Sequence, residues 1–496
     1  MSKINRRQFL ILTAAGAIAT SATSWANGKN KITPNQTKTL PSKLYKSSNG
    51  LLEVDLEASS SRIDLGGKPA YLLTYNGQIP APRLEAKAGD TIRIRFTNNL
   101  SQPTNLHYHG LHVTPNGNAD NAFLDIPSGE SLTYEFTLPK NHPSGTFWYH
   151  PHRHGFVAEQ VFGGLAGLFV IRGELDEIPE IKAAKEEFFF FLYAELDGSG
   201  RIQCPNHMEM FLGREGQLMT VNGQVNPQIA IARGGLLRLR ILNASPSRFY
   251  RLAFENHPFY LIATDGGAIG TPVELKELLL SPGERAEVLV RGDRESGQYR
   301  LLNLPYDRGG MEMMGMMGGG GHMMEGGMGM MQENTQTKPH VLATLTYQGS
   351  VSSLPLPQQL ISVEELSEPK TVRRIELSMA MGSGMGMTFT FNGKAFDPNR
   401  VDTQVQLNTV EDWELVNVDP DGMAHPFHLH VNPFQVISRN GKPEPYRAWK
   451  DTVLVKGNET VRIRIPFRDF AGKAVYHCHV LDHEDLGMMG IVEMKG

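Results

Sequence analysis

From about residue 45 to its end the chain alternates apolar and polar positions in short runs broken by Gly, Pro and Asn. Thr91-Ile92-Arg93-Ile94-Arg95-Phe96, Leu237-Arg238-Leu239-Arg240-Ile241 and Trp413-Glu414-Leu415-Val416 are three such runs. A period of two predicts strands with one face buried and one in water. The runs occupy equivalent places in an internal repeat. Each is preceded by an Asn-Gly turn (Asn76-Gly77, Asn222-Gly223, Asn392-Gly393), and each ends near an Asn (Asn98, Asn243, Asn417). Each is followed by a Glu-containing turn (Ser128-Gly129-Glu130, Pro282-Gly283-Glu284, Gly457-Asn458-Glu459) that leads into another alternating run. A third shared strand closes each copy: Gly145 to His150, Gly297 to Leu302 and Gly472 to His477 align without gaps. Repeats of this length with many short strands predict an all-β chain of three tandem Greek-key sandwiches, at 45–175, 176–347 and 348–496. The middle copy is expected to bring the outer two together.

Residues 1–26 depart from this pattern. Asn5-Arg6-Arg7-Gln8-Phe9-Leu10, an apolar run from Ile11 to Thr20 and Ser24-Trp25-Ala26 read as a twin-arginine export signal with a small-x-small cleavage site. The expected location is the periplasm or another extracytoplasmic space, after a polar, flexible leader over 27–44. No other apolar run is long enough to span a bilayer. The formal net charge of -4 without a polybasic tract argues against nucleic acid. Only two cysteines are present, Cys204 and Cys478. Since Cys478 has a better use (below), Cys204 is expected to be a plain buried or half-buried thiol rather than half of a disulfide.

Candidate chemistry gathers at the ends of the third shared strand. Cys478, His483 and Met488 form a Cys-x4-His-x4-Met series, and with an imidazole from elsewhere, His425, they supply the ligand set of a blue-copper electron-transfer site. Cys478 lies between His477 and His479, which on an extended strand point to the opposite face. Four His-x-His pairs occur, His107/His109, His150/His152, His428/His430 and His477/His479, two in each outer repeat. Eight imidazoles can hold three metals, and the pairs require the cluster to lie between the first and third domains. The other histidines are expected to be structural, with His322 set apart because it lies in a methionine-rich segment. That segment, Met311 to Met331, has ten Met in twenty-one residues with Gly at most other positions, and a smaller cluster, Met379, Met381, Met385 and Met387, follows it. Such a composition builds no core helix, and exposed thioethers are soft ligands that select Cu(I).

On these residues the chain resembles the three-domain multicopper oxidases, in particular the laccase and copper-efflux-oxidase group. The motifs that carry the resemblance are His107-Tyr108-His109-Gly110, His150-Pro151-His152, His425-Pro426-Phe427-His428-Leu429-His430 and the stretch from His477 to Met488. It implies cupredoxin-like domains and four copper ions. His425, Cys478, His483 and Met488 would hold one type 1 copper, and His107 and His428 one type 2 copper. Two type 3 coppers would be held by His109, His150 and His479, and by His152, His430 and His477. Asp120, after the first pair, and Glu484, beside His483, match the carboxylates with which the family delivers protons. The implied reaction is one-electron oxidation of a donor at the Cys478 site coupled to four-electron reduction of O2 to water.

For the donor, Asp421 and Met423 match the Asp-x-Met-x-His arrangement of the copper-efflux branch. Met379 or Met381 could supply further thioethers, although the larger methionine cluster lies elsewhere than in that branch. The expectation is an exported monomer oxidising Cu(I) and small phenols or aromatic amines, with a part in copper tolerance. A general laccase shielded by its methionine loop is the alternative within enzymes. An exported copper carrier or buffer would not need an O2 site, and a copper nitrite reductase would not need four His-x-His pairs.

Overall fold

The computed structural model describes residues 36–37, 42–309, 338–381, 387–419 and 422–496. The export signal, most of the leader, the methionine-rich segment with His322, and Met385 and Asp421 lie outside the described residues. Of the leader, Gln36–Thr37 pairs in parallel with Arg62 and Ile63, and Ser42 donates to the Ala81 carbonyl.

Among the described residues six sheets form three two-sheet sandwiches in tandem. One sheet of each has the same order. A strand lies parallel to the last strand of the unit, which is antiparallel to the third shared strand, and that strand is antiparallel to an earlier short one. In the first unit these are Arg83–Lys87, Gly167–Arg172, Gly145–His150 and His107–His109. In the middle unit they are Gln228–Arg233, His340–Ser350, Gln298–Leu304 and Tyr250–Phe254. In the third they are Thr403–Gln406, Met489–Lys495, Gly472–Cys478 and His425–Leu429. The His-bearing strands of the outer units thus have counterparts in the middle unit at Tyr250–Phe254 and Gln298–Leu304.

The repeated punctuation does repeated work. Asn76, Asn222 and Asn392 all have φ near +50°, and Gly77, Gly223 and Gly393 follow at φ of 70 to 76°, the backbone of a tight turn that matches strand twist. Each Asn side chain also accepts a backbone N–H from the strand opposite, at Glu57, Phe190 and Glu376. At the strand ends, Asn98, Asn243 and Asn417 each donate to two backbone carbonyls and accept the N–H two residues on. Their backbone N–H groups donate to the carbonyls of Glu130, Glu284 and Glu459, so the two shared sequence elements meet in space in every unit.

The alternation also holds within each unit. Ile92, Ile94 and Phe96 are buried against Tyr75, Tyr108 and Phe169, and Trp413 packs with Phe427, Phe467 and Tyr476. It fails in the Leu236–Asn243 strand, where every residue is buried. The polar face there meets the first unit instead of water. Arg238 and Arg240 pair with Asp176, Glu186 and Glu287, and Arg240 donates to Thr146. Cys204 is a second departure: it is a free thiol but exposed, on the loop before the His207–Leu212 helix.

Candidate metal centre

Pairing of the Gly472–Cys478 strand with His425–Leu429 sets Phe427 opposite Cys478 and His428 opposite His477. The Leu481–Asp485 helix then returns His483 to the same place. His425 Nδ1 and His483 Nδ1 lie 3.6 and 3.7 Å from Cys478 Sγ. The far nitrogen of each ring is held: His425 Nε2 donates to Asp419 (3.2 Å) and His483 Nε2 to the Phe211 carbonyl (2.8 Å). Phe389 stacks on His483 with ring centroids 4.1 Å apart. Met488 is fully buried in the same apolar cluster as Cys478, and its carbonyl accepts the Cys478 N–H. Burial pushes the Cys478 thiol well up, which a bound thiophilic cation would reverse.

On the other side of the strand the eight paired histidines form one buried group between the first and third units. His107–His109 lies wholly within a strand, whereas His152, His430 and His479 lie just past strand ends. The members of each pair still face the same centre, with ring centroids 4.9 to 6.2 Å apart. Three sets of three have nitrogens within reach of a single ion: His109, His150 and His479; His152, His430 and His477; and His107, His109 and His428. His477 Nε2 stands 3.1 Å from His152 Nε2 and 3.2 Å from His430 Nε2.

The donor set fits a cluster of imidazole-bound metals. One nitrogen of each of several rings is tied outward: His107 Nδ1 to Asp120, His109 Nε2 to Asp451, His150 Nδ1 to the Pro151 carbonyl and His428 Nδ1 to the Asp451 carbonyl. The opposite nitrogens, His107 Nε2, His109 Nδ1, His150 Nε2 and His428 Nε2, are buried without a hydrogen-bond partner among the described residues, as are both of His479. Orphaned buried acceptors are costly unless something fills their lone pairs, and outward hydrogen bonds that fix the ring are the usual support of a metal ligand. Burial, with neighbouring imidazoles adding to it, lowers the His107, His150, His430 and His479 pKa values well below the usual range. The rings are therefore neutral, as ligands must be.

Two carboxylates lie in the same region. Asp120 Oδ1 accepts from His107 Nδ1 (2.8 Å) and the Tyr108 N–H (2.9 Å), and burial pushes its carboxyl up to about 8. Glu484 Oε2 lies 3.0 Å from His477 Nδ1, but that N–H points to the Cys478 carbonyl. Both Glu484 oxygens are left without a hydrogen-bond partner among the described residues, and burial pushes this carboxyl up to about 7.

Of the proposed donor-site residues, Met423 and Met379 are buried in the apolar cluster that includes Met488 and Phe211. Met381 ends the Thr371–Met381 strand. Sequence reasoning missed Asp419, Asp451, Arg285 and the Phe211 carbonyl. Asp419 stood two residues from Asp421 in the same turn, and the short motif gave no reason to choose it. Arg285 had the one available signal, its place directly after the shared Gly283-Glu284 turn. The middle unit supplies the Phe211 carbonyl to His483, although among the described residues it places no side chain in any metal-capable group.

Comparison with known proteins agrees with this geometry. Residues 57–176, 192–313 and 370–495 each match a family described as multicopper oxidase. The multicopper oxidase mco of Staphylococcus haemolyticus is 30% identical over 456 residues, 90% of each chain. Among solved structures, a multicopper oxidase from Campylobacter jejuni, described as a metallo-oxidase, is 34% identical with a TM-score of 0.79, covering 93% of this chain and 96% of that one. A laccase-like multi-copper oxidase CueO from Ochrobactrum sp. is 26% identical with a TM-score of 0.76, covering 92% and 100%. With three cupredoxin-like sandwiches and buried histidine and cysteine groups between the outer two, this chain belongs to the multicopper oxidase family, copper enzymes that oxidise a reducing substrate with O2 as acceptor.

Proposed function

We propose that the protein binds four copper ions and couples oxidation of Cu(I), and less selectively of phenols and aromatic amines, to reduction of O2 to water. His425, Cys478, His483 and Met488 hold a type 1 copper. His107 and His428 hold a type 2 copper, and the triads His109/His150/His479 and His152/His430/His477 hold the type 3 pair. Bound copper supplies one-electron redox chemistry at the first site and O2 binding at the others. The observation that carries this reading is the division made by one strand end: Cys478 faces His425 and His483, while its neighbours His477 and His479 each complete a separate imidazole triad. Electron transfer from the thiolate to either triad therefore needs to cross only the few covalent bonds between adjacent residues. Asp120 and Glu484 hold and release the protons that O2 reduction consumes. Burial raises the two carboxyls to about 8 and about 7, so each can hold and give up a proton near neutral pH.

Cu(I) as the donor rests on the thioethers. Gly309, the last described residue before the methionine-rich segment, packs so closely on Gly422 and Met423 that a Cβ there would overlap the Gly422 backbone. Ala424 donates to the Arg308 carbonyl at 2.7 Å. The described chain thus stops at Gly309, beside Met423, which lies two residues before type 1 ligand His425, and this end point supports delivery of a soft cation to that edge. Asp421 is assigned to the same capture site. We further propose a twin-arginine signal over 1–26, an extracytoplasmic location, a role in copper tolerance and a monomeric state. No helix among the described residues is long and apolar enough to cross a membrane.

The test is O2 consumption with Cu(I) and with a small phenol, using the full protein, a form lacking 311–331, and Asp421→Ala/Met423→Ala. Cu(I) turnover should fall more than phenol turnover in both variants. Loss of the segment should chiefly raise the Cu(I) concentration required, and the double substitution should also lower the maximal rate. A parallel fall with both donors would favour the general laccase.

A further inference from the structure

Asp451 belongs to none of the His and Cys motifs, yet it touches two of the histidines. Its Oδ1 accepts from His109 Nε2 (2.9 Å) and Thr452 Oγ1 (2.9 Å), and its main-chain carbonyl accepts from His428 Nδ1 (2.8 Å). His109 comes from the first unit and His428 from the third, and in both rings the opposite nitrogen is the buried, unpartnered one. A neutral imidazole carries a single N–H, so the acceptor that takes it decides which nitrogen is left for a metal.

Arg285 holds Asp451 from the middle unit. Nη1 donates to Oδ1 (2.8 Å) and Nη2 to Oδ2 (2.5 Å), which is the two-pronged arrangement that fixes a carboxylate's plane as well as its place. The other guanidinium protons go to the carbonyls of Thr146 in the first unit and of Gly283 and Asp265 in the middle unit. Asp265 also takes the Arg285 N–H and pairs with Lys450, the residue before Asp451. Neither member of the pair reaches solvent: Arg285 is 1% and Asp451 2% exposed.

The surrounding backbone is cleared for this pair. Gly110, directly after His109, has φ of 89°, and a Cβ there would overlap Arg285 Nη2 and crowd Asp451 Oδ2. Gly283, two residues before Arg285, has φ of 83°, and a Cβ there would come within 2.8 Å of the His479 ring. Glycine is required at both positions by the backbone and by the space.

We infer that Asp451 and Arg285 are a positioning pair: they set the tautomer and orientation of His109 and His428, and through them make the middle domain a determinant of copper loading at the interdomain cluster. The inference rests on the copper-oxidase reading above. The pair touches no substrate and acts only through the two rings.

The experiment measures copper per chain, resistance of that copper to a competing chelator, the paramagnetic signal of type 2 copper, and the blue absorption of the Cys478 site. Asp451→Asn should keep the blue absorption. It should release cluster copper at chelator concentrations about 10- to 100-fold lower than the parent, the usual effect of removing a ligand's supporting hydrogen bond. Its type 2 signal should change. Arg285→Lys, which keeps the buried charge but loses the fork, should shift in the same direction by less. Parental chelator resistance with an unchanged type 2 signal in Asp451→Asn would overturn the inference and leave the pair a clamp between domains. Blue absorption lost in parallel with cluster copper would overturn it too, because that pattern reports general loosening. If Asp451→Asn does not fold, Arg285→Lys decides by the same two criteria. A parent protein with neither blue absorption nor cluster copper would sink the copper-oxidase reading itself, a separate failure seen before any variant is made.

Discussion

Arg214→Met should loosen the short helix that carries His483 and Glu484, and the size of the effect can be worked from the contacts. Arg214, in the middle unit, donates to Asp482 through Nε (3.0 Å) and Nη2 (2.7 Å), and the Asp482 side chain is 1% exposed. Asp482 lies in the Leu481–Asp485 helix, directly before His483. Removing one member of a buried ion pair strands the other charge, at about 3–5 kcal/mol. Here the low end applies, because the Arg214 backbone N–H still donates to Asp482 Oδ2 at 2.8 Å. At about 2–4 °C per kcal/mol for a domain of roughly 150 residues or more, about 3 kcal/mol lowers the melting point by about 6–12 °C. The assay is loss of the blue Cys478-to-copper absorption on heating, beside loss of far-ultraviolet circular dichroism. Arg214→Met/Asp482→Asn, which removes both charges, should recover part of the loss. A fall of under about 2 °C, or a double variant no better than the sum of the singles, would refute the idea that a stranded carboxylate is the cause.

Cys478→Ser should abolish the blue absorption and oxidase activity with every donor while circular dichroism stays near parental; residual turnover with any donor would sink the assignment. Asp120→Asn and Glu484→Gln should retain four coppers and the blue colour yet slow O2 consumption by about 100-fold, the usual contribution of a positioned proton-transfer group. Parental rates in both would remove the proton-delivery role. Gly283→Ala forces a Cβ to within 2.8 Å of the His479 ring from a backbone at φ of 83°, so it should lower copper content at the interdomain cluster before it touches the Cys478 site. Metal analysis beside the blue absorption reads the difference.

The chain by itself determined what depends on local pattern and residue type. Period-two alternation and the Asn-Gly turns specified strands and three repeats, because side-chain direction on a strand and positive φ in a tight turn are properties of a few consecutive residues. The eight paired histidines and Cys478 were legible for the same reason: only histidine offers an imidazole and only cysteine a thiolate. Tertiary structure decided which rings meet and which nitrogen of each is left free. The acceptors that settle this are remote in sequence, Asp451 for His109 from 342 residues away and the Phe211 carbonyl for His483 from 272. A carbonyl has no residue signature, and a single Asp in Trp449-Lys450-Asp451-Thr452 resembles any surface carboxylate. The same limit explains Arg238 and Arg240. Alternation marked their face as polar; the acids that pair with them, Asp176, Glu186 and Glu287, lie within the middle unit, and the first unit, which supplies Thr146 to Arg240, covers that face.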